Sequence, residues 1–480
     1  MQQKSRRAFI VQATLVSVGL AILPHCKKKN SNPSNTKNNI IVVGAGIAGM
    51  AAAVTLKNSG YNVTVLEASD RVGGRILSQN IDGYSADYGA SWIHGINGNP
   101  IYSLAVSNSI NTIATHYEPS YLFDIDGSEI TEAEWNEVEL LLEQLVNLAY
   151  ENSNISLAEL LVIMEPNIVA SDKIKRIFLG AVRSEIEIPY AVDTSEISAK
   201  ALTTNDSFDG DDVIFPQGMS ALTNVLAQGL DIKYNAFVTK ISYSDESVFV
   251  HVKDPIDIDT KRSCMACHSN TNAATLTEDY FLQADRVVVA LPLGVLKHNI
   301  VEFEPTLPQS KLDAINRLGI GTMNKVFLKF NDNFWNTDGY FFQYIKEDSS
   351  QIIEFFSPTP TGTSNTIIAV FAGQQARSIE KMDDTELQNI IMTDLRGMFG
   401  TDIPQPVSMH KTTWHTNPLS LGAYPHLAPG VDLSDCSIIA STIDNKVFFA
   451  GDATSEKYMA TAHGAYISGV DAAEKIMRLS

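Results

Sequence analysis

The sequence is short of cysteine and of long apolar runs, and each shortage excludes a class of protein. Only 4 of its 480 residues are cysteine, so no disulfide framework defines the fold. The apolar run over residues 8–23 is interrupted by Gln12, Thr14 and Ser17. It is therefore too short and too polar for a membrane-spanning helix of about 20 residues. No internal repeat is visible.

Positive charge is also scarce, because 35 Lys and Arg residues stand against 55 Asp and Glu, which gives a formal net charge of −20. The first 26 residues carry three positive charges and no negative ones, so the remainder stands at −23. Such a surface disfavours nucleic acid and anionic lipid and attracts cationic substrates, although solubility explains most of the charge. We therefore expect no nucleic-acid partner.

Residues 1–26 have the pattern of an export signal. Arg6 and Arg7 precede the apolar run, and paired arginines at this place are similar to a twin-arginine signal. Cys26 precedes three lysines, as in a bacterial lipoprotein anchored through an acylated cysteine, but His25 is unfavourable just before such a cysteine. Lipidation of Cys26 and simple cleavage nearby both stay open. We expect export to the periplasm or cell envelope, with residues 27–38 as a polar linker.

The most informative stretch is a predicted strand, Ile40 to Val43, that runs into a Gly-x-Gly-x-x-Gly turn and a predicted helix. Gly44 allows the tight turn, Gly46 lets the backbone approach a phosphate, and Gly49 lets the helix pack closely on the strand. Backbone N–H groups and the positive helix end meet there, which suits a pyrophosphate. The predicted phosphate-binding residues are Gly44, Ala45, Gly46, Ile47, Ala48 and Gly49.

The next predicted strand ends at Glu67, where an acidic side chain binds a ribose hydroxyl of a dinucleotide. The following loop holds two glycines before Arg75, so it can fold back under a second phosphate with the guanidinium as a forked donor. An NAD-binding unit needs no such loop, whereas this run resembles the second dinucleotide signature of FAD enzymes. The predicted cofactor-binding residues here are Glu67, Ala68, Arg71, Gly74 and Arg75.

Five motifs in order along the chain resemble FAD-dependent amine oxidases of the monoamine and polyamine oxidase family: residues 43–75, 87–95, 324–326, 414–424 and 449–454. The run Gly89-Ala90-Ser91-Trp92-Ile93-His94-Gly95 is most similar to polyamine oxidases. The resemblance implies an α/β fold with a discontinuous, Rossmann-like FAD-binding domain at 39–98, 205–304 and 440–480. It also implies an α+β substrate domain, with a mixed sheet and a helical cap, at 99–204 and 305–439.

The resemblance assigns the catalytic residues. Lys325 holds a water against flavin N5, and an inward ammonium there stabilises electron density arriving at the flavin. Trp414 and Tyr424 place aromatic rings beside the isoalloxazine. Such rings also commonly pack in cores; we favour the functional interpretation for Tyr424, and both interpretations stay open for Trp414. Thr461 stands where monoamine oxidases carry a second tyrosine, which implies a roomier cage. Ala423 replaces their flavin-bonding cysteine, which implies noncovalent FAD.

The resemblance also assigns binding residues. An acidic side chain at Asp452 binds a ribitol hydroxyl, and the helix that begins near Thr461 stabilises negative charge on reduced flavin. The valine at Val238 contacts adenine through its backbone, and His94 lies near a polyamine tail, although a lone histidine is more often structural. The remaining assignments are Gly89, Ala90, Ser91 and Gly451 for the cofactor, and Trp92 and Tyr458 for the substrate.

The implied reaction is hydride transfer from the carbon beside an unprotonated amine to flavin N5, followed by hydrolysis of the imine to an aldehyde or ketone. Oxygen or another acceptor then reoxidises the flavin, oxygen giving H2O2. The nearest alternative is an L-amino acid oxidase, but those enzymes carry a carboxylate-binding arginine where Ser91 and Trp92 stand. A second alternative is an envelope-anchored binding or electron-carrier protein, which Lys325 and Tyr424 disfavour.

An insertion at 254–278 carries Cys264-Met265-Ala266-Cys267-His268, the attachment pattern of haem c. A tethered haem would make the protein a dehydrogenase, but so short an insertion cannot build a haem pocket. Haem is also attached to unfolded chains, which conflicts with the twin-arginine signal. The sequence favours a local disulfide between Cys264 and Cys267 over haem, with a free or metal-binding pair as the remaining alternative. We predict no other metal site.

Overall fold

The computed structural model describes residues 38–117, 120–204, 206–253, 280–335, 337–358 and 364–479. The predicted export signal with Cys26 lies outside these residues, and so does the insertion with Cys264, Cys267 and His268. Within the described part, no helix is long and apolar enough to cross a membrane, and no group of three or more His, Cys, Asp or Glu residues is placed to hold a metal ion.

A five-stranded parallel sheet carries the glycine turn. Its strands come from three separate parts of the chain and lie in the order Val447–Phe449, Arg286–Val289, Asn39–Val43, Asn62–Leu66 and Asp231–Lys233. Ile40 and Val42 pack into one apolar cluster while Ile41 and Val43 pack into another. Both faces are therefore buried, which is why the strand lacks alternating polar residues.

Different elements cover the two faces of the parallel sheet. The helices Ile47–Asn58 and Ala462–Met477 pack against each other on one face, so closely that a Cβ at Gly469 would lie 2.0 Å from the Ala48 carbonyl oxygen. A four-stranded sheet packs on the other face. Its strands lie in the order Tyr280–Ala284, Val248–Lys253, Phe237–Tyr243 and Glu302–Glu304.

A mixed six-stranded sheet forms the second large unit. Its strands lie in the order Ser408–Lys411, Met323–Lys329, Thr366–Ala372, Glu354–Phe356, Phe341–Tyr344 and Ser120–Phe123. The sequence predicts alternation along 323–330 with Lys325 inward; the structure buries Lys325 but also buries the opposite face. Val326 and Leu328 pack there against the helix Asp384–Phe399. Because the apolar face of this helix covers the second face of the sheet, residues on both sides of the strand Met323–Lys329 are buried.

Helices surround these sheets. The polar and apolar pattern over 131–152 predicts a helix, which forms as Glu132–Glu151, where Thr131 and Glu134 make a reciprocal capping box. A π-helix at Arg183–Glu187 continues the helix that precedes it. The other α-helices are Pro100–Ser107, Leu157–Met164, Asp172–Val182, Ile188–Tyr190, Ser220–Ala227, Leu293–Lys297, Gln309–Arg317, Gly373–Ile379 and Ser434–Ala440.

Short strands pair as Ser78–Ile81 with Tyr84–Asp87, Gly319–Ile320 with Pro425–His426, and Asp212–Ile214 with both Trp92–Ile93 and Ile113–Thr115.

Candidate active site

The glycine turn leaves an open space in front of a helix start. Gly44 has φ +101°, and a Cβ at Gly49 would lie 2.0 Å from the Gly44 carbonyl oxygen, so both positions require glycine. A Cβ at Gly46 would meet no atom within 4 Å. The helix begins at Ile47 with no side-chain cap and no acid in its first turn. Its first N–H groups are therefore available to an anion such as a pyrophosphate.

Glu67 is buried at the end of the neighbouring strand and ties the turn to it. The Ala45 N–H donates to Glu67 Oε2 at 2.7 Å, and the Ser69 hydroxyl donates to Oε1 at 2.7 Å. The Ala236 N–H donates to the Glu67 carbonyl oxygen at 2.8 Å, which brings Val238, two residues on, to the same end of the sheet. Ala68 is half-buried beside this acid. The arrangement fits a ribose with adenine beyond it.

The loop after Glu67 folds back under the turn, as the sequence predicts. The Gly73 N–H donates to the Ala45 carbonyl oxygen at 2.8 Å, and a Cβ at Gly74 would lie 3.4 Å from the Gly46 Cα. The Arg71 guanidinium donates to the carbonyl oxygens of Val72, Gly74 and Ile76. In this structure Arg71 therefore braces the loop.

Arg75 and Asp452 bind each other. Both terminal guanidinium nitrogens of Arg75 lie 2.7 Å from the two carboxylate oxygens of Asp452, and one also donates to the Ala423 carbonyl oxygen at 2.7 Å. The fork joins distant segments of the chain, because its planar geometry matches a carboxylate. The assignments of Arg75 to a phosphate and of Asp452 to a ribitol hydroxyl stay predictions. Gly451 leaves room beside Asp452, since a Cβ there would approach only the Leu291 carbonyl oxygen, at 3.9 Å.

Lys325 is held by three oxygen atoms of one loop. Its side chain is 6% exposed, and Nζ donates to the carbonyl oxygens of Asp87 and Gly89 at 2.9 and 2.7 Å and to Ser91 Oγ at 2.5 Å. The loop is the Gly89-Ala90-Ser91 run that the sequence assigned to the cofactor. Ala90 is anchored by its N–H, which donates to the Arg75 carbonyl oxygen at 3.1 Å. The lysine therefore joins the six-stranded sheet to the cofactor loop.

Asp87 is a site residue to which sequence reasoning gave no role. Its carboxylate accepts from Ser78 Oγ at 2.5 Å and from the Met219 N–H at 2.9 Å. Burial raises the pKa of Asp87 to about 6, against the lowering effect of these hydrogen bonds and of Lys325. Burial likewise lowers the pKa of Lys325 to about 8. No local motif indicates this role of Asp87, because its partner Met219 is distant in the sequence.

A cleft opens beside Lys325. Trp92 and Ser91 line it together with apolar side chains, among them Phe356 and Val370. The Lys325 Nζ lies 5.8 Å from the centre of the Trp92 ring, and the Trp92 indole N–H donates to Thr115 Oγ1 at 3.2 Å. The lining is mostly apolar, with Tyr84, Asp87, Ser91 and Lys325 as its polar side chains, which suits a small organic substrate.

Trp414 packs against the loop that holds Lys325. Its indole N–H donates to the Tyr88 carbonyl oxygen at 3.0 Å, and its ring lies 3.4 Å from where a Cβ at Gly89 would stand. The Tyr424 hydroxyl donates to the Pro189 carbonyl oxygen at 2.8 Å, and burial raises its pKa. The structure thus gives both rings packing and hydrogen-bonding roles, and their position beside a flavin stays a prediction.

Thr461 is the N-cap of the last helix. Its Oγ1 accepts from the Gly464 N–H at 2.9 Å and donates to the Tyr458 carbonyl oxygen at 2.8 Å. The hydroxyl proton is therefore donated to a backbone oxygen in this structure, and the expected catalytic role of Thr461 stays a prediction. Its place at the start of the helix is as predicted, so the positive helix end remains directed past it.

His94 and Tyr458 were both assigned to substrate; His94 contacts Asp212, and Tyr458 belongs to an aromatic group with Phe208 and His463. His94 is 53% exposed, and its Nδ1 lies 2.7 Å from Asp212 Oδ2. Tyr458 stacks on Phe208 with ring centres 4.8 Å apart, and His463 packs edge-on against both rings. Neither His94 nor Tyr458 is among the described residues that line the cleft at Lys325. Their role in substrate binding stays a prediction.

An open phosphate turn with a buried acid at the end of the next strand defines a dinucleotide-binding protein. The sequence model of one family, described as flavin containing amine oxidoreductase, matches residues 47–477. The chain belongs to this family, which implies FAD as the cofactor, and the open space at Gly46 and Gly451 fits such a group.

Relatives support the same family. Probable polyamine oxidase 4 of Arabidopsis thaliana is 30% identical over 487 residues, which cover 94% of this chain and 92% of that protein. Lysine-specific histone demethylase 1 homolog 2 of Arabidopsis thaliana is 32% identical over 466 residues, which cover 93% of this chain and 59% of that protein. The chain spans about half the length of the first curated relatives that it matches.

Among solved structures, putrescine oxidase bound to putrescine has a similar fold. The TM-score is 0.72 at 20% sequence identity, and the match covers 92% of this chain and 99% of that protein. This likeness confirms the α/β fold class that the sequence predicts.

Proposed function

We propose that this protein holds FAD noncovalently and oxidises a primary or secondary amine, with O2 reduced to H2O2. The observation that carries the proposal is the Lys325 ammonium, buried at the wall of an apolar cleft and tied to the cofactor loop. When bound, the flavin accepts a hydride from the carbon beside an unprotonated amine, and water hydrolyses the imine that results.

Several residues would hold the cofactor. The turn from Gly44 to Gly49 receives the pyrophosphate, and Glu67 accepts from a ribose hydroxyl. Val238 lies at the adenine end, and Gly451 with Asp452 at the ribitol end. Ala423 offers only a methyl group where a covalent link would need a nucleophile, which supports noncovalent binding.

Lys325 places a positive charge at the cleft wall without exposing it to solvent. Its ammonium can stabilise negative charge that develops nearby. All three of its N–H groups donate to protein oxygens in this structure, so it would hold a water molecule beside the reacting carbon by releasing one of these bonds. Trp92 and the apolar side chains around it exclude bulk water and contact the carbon chain of an amine. No acidic or nucleophilic side chain is required in this scheme.

Turnover assays separate this proposal from an L-amino acid oxidase. We expect amines from the set spermine, putrescine and benzylamine to be consumed faster than phenylalanine or leucine, with one H2O2 formed for each O2 consumed. A higher rate with phenylalanine or leucine than with every amine would instead assign the protein to the L-amino acid oxidases.

The Cys-x-x-Cys-His motif favours a second candidate function, an amine dehydrogenase that passes electrons to haem. An absorbance scan of the purified protein decides between the two. We expect flavin bands alone, whereas a Soret band together with an α-band would support the dehydrogenase.

We also propose export from a bacterial cytoplasm through the signal at residues 1–26, with lipid anchoring at Cys26 as one outcome. Cell fractionation after replacing Arg6 and Arg7 by lysine tests this. We expect the wild-type protein in the envelope fraction and the variant in the cytoplasm; an unchanged distribution would refute use of the twin-arginine route.

A further inference from the structure

Amine oxidation in the cleft beside Lys325 requires the substrate to lose a proton before the hydride leaves. Hydride transfer starts from an unprotonated amine, whereas an aliphatic amine has a pKa of about 10 and is an ammonium ion at neutral pH. A second ammonium beside the buried Lys325 is repelled by its like charge and is costly to bury. A group in the cleft wall that accepts this proton removes both costs.

Asp87 is the one carboxylate among the described residues that line this cleft. Ser78 Oγ and the Met219 N–H both donate to its Oδ1, at 2.5 and 2.9 Å. Oδ2 accepts no hydrogen bond from the part of the chain that the structure describes. The two donors therefore fix the carboxylate through one oxygen atom and leave the other available to a ligand in the cleft.

The other polar side chains of the cleft are poor proton acceptors. Lys325 already carries its proton and donates three N–H groups to protein oxygens, one of them to Ser91 Oγ. Tyr84 is on the same strand as Asp87, and burial together with the Asp87 charge raises its pKa, so its hydroxyl keeps its proton. Tyr84 and Lys325 are the titratable groups that face Asp87 in the described lining.

We propose that Asp87 accepts the proton of the incoming substrate ammonium at Oδ2 and is thereby a catalytic residue of the amine oxidation proposed above, on which this role rests. The N–H bond breaks, an O–H bond forms on Asp87, and the nitrogen keeps the electron pair. Hydrolysis of the imine then releases an ammonium ion. Reduction of O2 by the transferred hydride to H2O2 consumes one proton, which Asp87 returns.

The apolar surroundings bring the proton affinities of the two groups together. Burial raises the pKa of Asp87 to about 6, and the same burial lowers the pKa of an amine that enters the cleft. The positive charge of Lys325 lowers the pKa of that amine further. At neutral pH Asp87 is still ionised before substrate arrives, so it is ready to accept.

The pH dependence of flavin reduction is the first test, made on the FAD-loaded full chain. In the wild type, the second-order rate constant should rise as Asp87 loses its proton near pH 6 and then stay level toward pH 8. Asp87→Asn keeps an acceptor for Ser78 and Met219 but cannot take a proton. Its rate constant should lack the limb near pH 6 and rise about tenfold per pH unit between pH 6 and 8, because only unprotonated amine from solution reacts.

Binding of tert-octylamine is the second test and needs no turnover, since this amine has no hydrogen on the carbon beside nitrogen. At about pH 7, calorimetry in buffers of different ionisation enthalpy counts the protons released on binding. We expect none from the wild type and about one per bound amine from Asp87→Asn, with about tenfold to hundredfold weaker binding. Infrared difference spectra of the wild type should gain the C=O band of a carboxylic acid.

Glu137→Gln, on the exposed face of the helix Glu132–Glu151, makes the same carboxylate-to-amide change and should match the wild type in every measurement. A wild-type complex without the carboxylic acid band would overturn the proposal even if Asp87→Asn failed to fold. Equal proton release or equal pH profiles in Asp87→Asn and the wild type would overturn it as well. Failure of every amine to reduce the flavin would instead refute the amine oxidation itself.

Discussion

The charge on Lys325 is opposed by burial and supported by three oxygen atoms. Its pKa of about 8 lies below the ordinary lysine value of 10.5. Between these two values the unfolded chain binds more protons than the folded one, so this group makes folding stability rise with pH across that window. Below about pH 8 the ammonium is present in the folded protein and can act on the flavin side of the cleft.

Replacing Lys325 by methionine removes that ammonium while retaining most of the side-chain volume. We expect the variant to bind FAD and to be reduced by an amine roughly 10- to 1000-fold more slowly, the range seen when one preorganised electrostatic group is removed. The wild-type pH profile should show a falling limb near pH 8 that the variant lacks. Stopped-flow reduction across pH measures both, and a variant that keeps this limb would exclude Lys325 as its source.

Substitutions at two glycines of the turn distinguish an effect on cofactor binding from an effect on folding. A methyl group at Gly46 enters open space at an ordinary φ of −69°, so Gly46→Ala should fold normally yet bind FAD at least about tenfold more weakly. Gly49→Ala places its methyl group against the Gly44 carbonyl oxygen and should destabilise the apoprotein by about 1–3 kcal/mol. Flavin content and the melting temperature of the apoprotein distinguish the two variants. If both variants lowered both quantities equally, the assignment of Gly46 to cofactor binding and of Gly49 to packing would be contradicted.

The residues near Lys325 show what a single sequence can predict. Local motifs identified the glycine turn, Glu67 and the buried lysine, because each needs only neighbouring residues for its signal. Asp87 and Asp212 gained no role from sequence, since their partners Met219 and His94 come from distant segments. The pairing of Arg75 with Asp452 escaped prediction for the same reason.

At the scale of elements, Thr461 caps the last helix and also carries a predicted catalytic role. Thr461→Asn retains an N-cap acceptor without a hydroxyl, so we expect unchanged stability and unchanged flavin reduction. Thr461→Val removes the cap and should cost about 0.5–2 kcal/mol. Thermal unfolding and anaerobic reduction measure both, and slow reduction in a stable Thr461→Asn variant would restore a chemical role for the hydroxyl.

Helices and strands with clear periodicity were predictable nearly to their ends. The apolar pattern predicts a first helix from Ile47 to about Lys57, which forms as Ile47–Asn58, and a last helix from about Ala462 to Leu479, which forms as Ala462–Met477. The π-helix Arg183–Glu187 was not predictable, because one extra residue per turn leaves no mark in the apolar pattern.

Across the whole molecule, the parallel sheet draws strands from each of the three segments that the sequence assigned to the FAD domain. The order of the six-stranded sheet could not be predicted, since it depends on pairings between distant strands.

The net charge of −20 acts on the whole molecule as well. A negative field attracts cations before they reach the cleft, and salt screens it over about 10 Å at 0.1 M ionic strength. We expect the second-order rate constant of flavin reduction to fall with rising ionic strength, and to fall more steeply for putrescine than for benzylamine. Equal slopes for the two amines would contradict this charge effect.

Anaerobic mixing of the FAD-loaded protein with spermine, putrescine and benzylamine tests the central claim most directly. If the protein oxidises amines at a flavin beside Lys325, at least one of these amines will bleach the oxidised flavin absorbance, and Lys325→Met will bleach far more slowly. A flavin that stays oxidised with every amine, in protein shown to be folded and fully loaded, would contradict the claim.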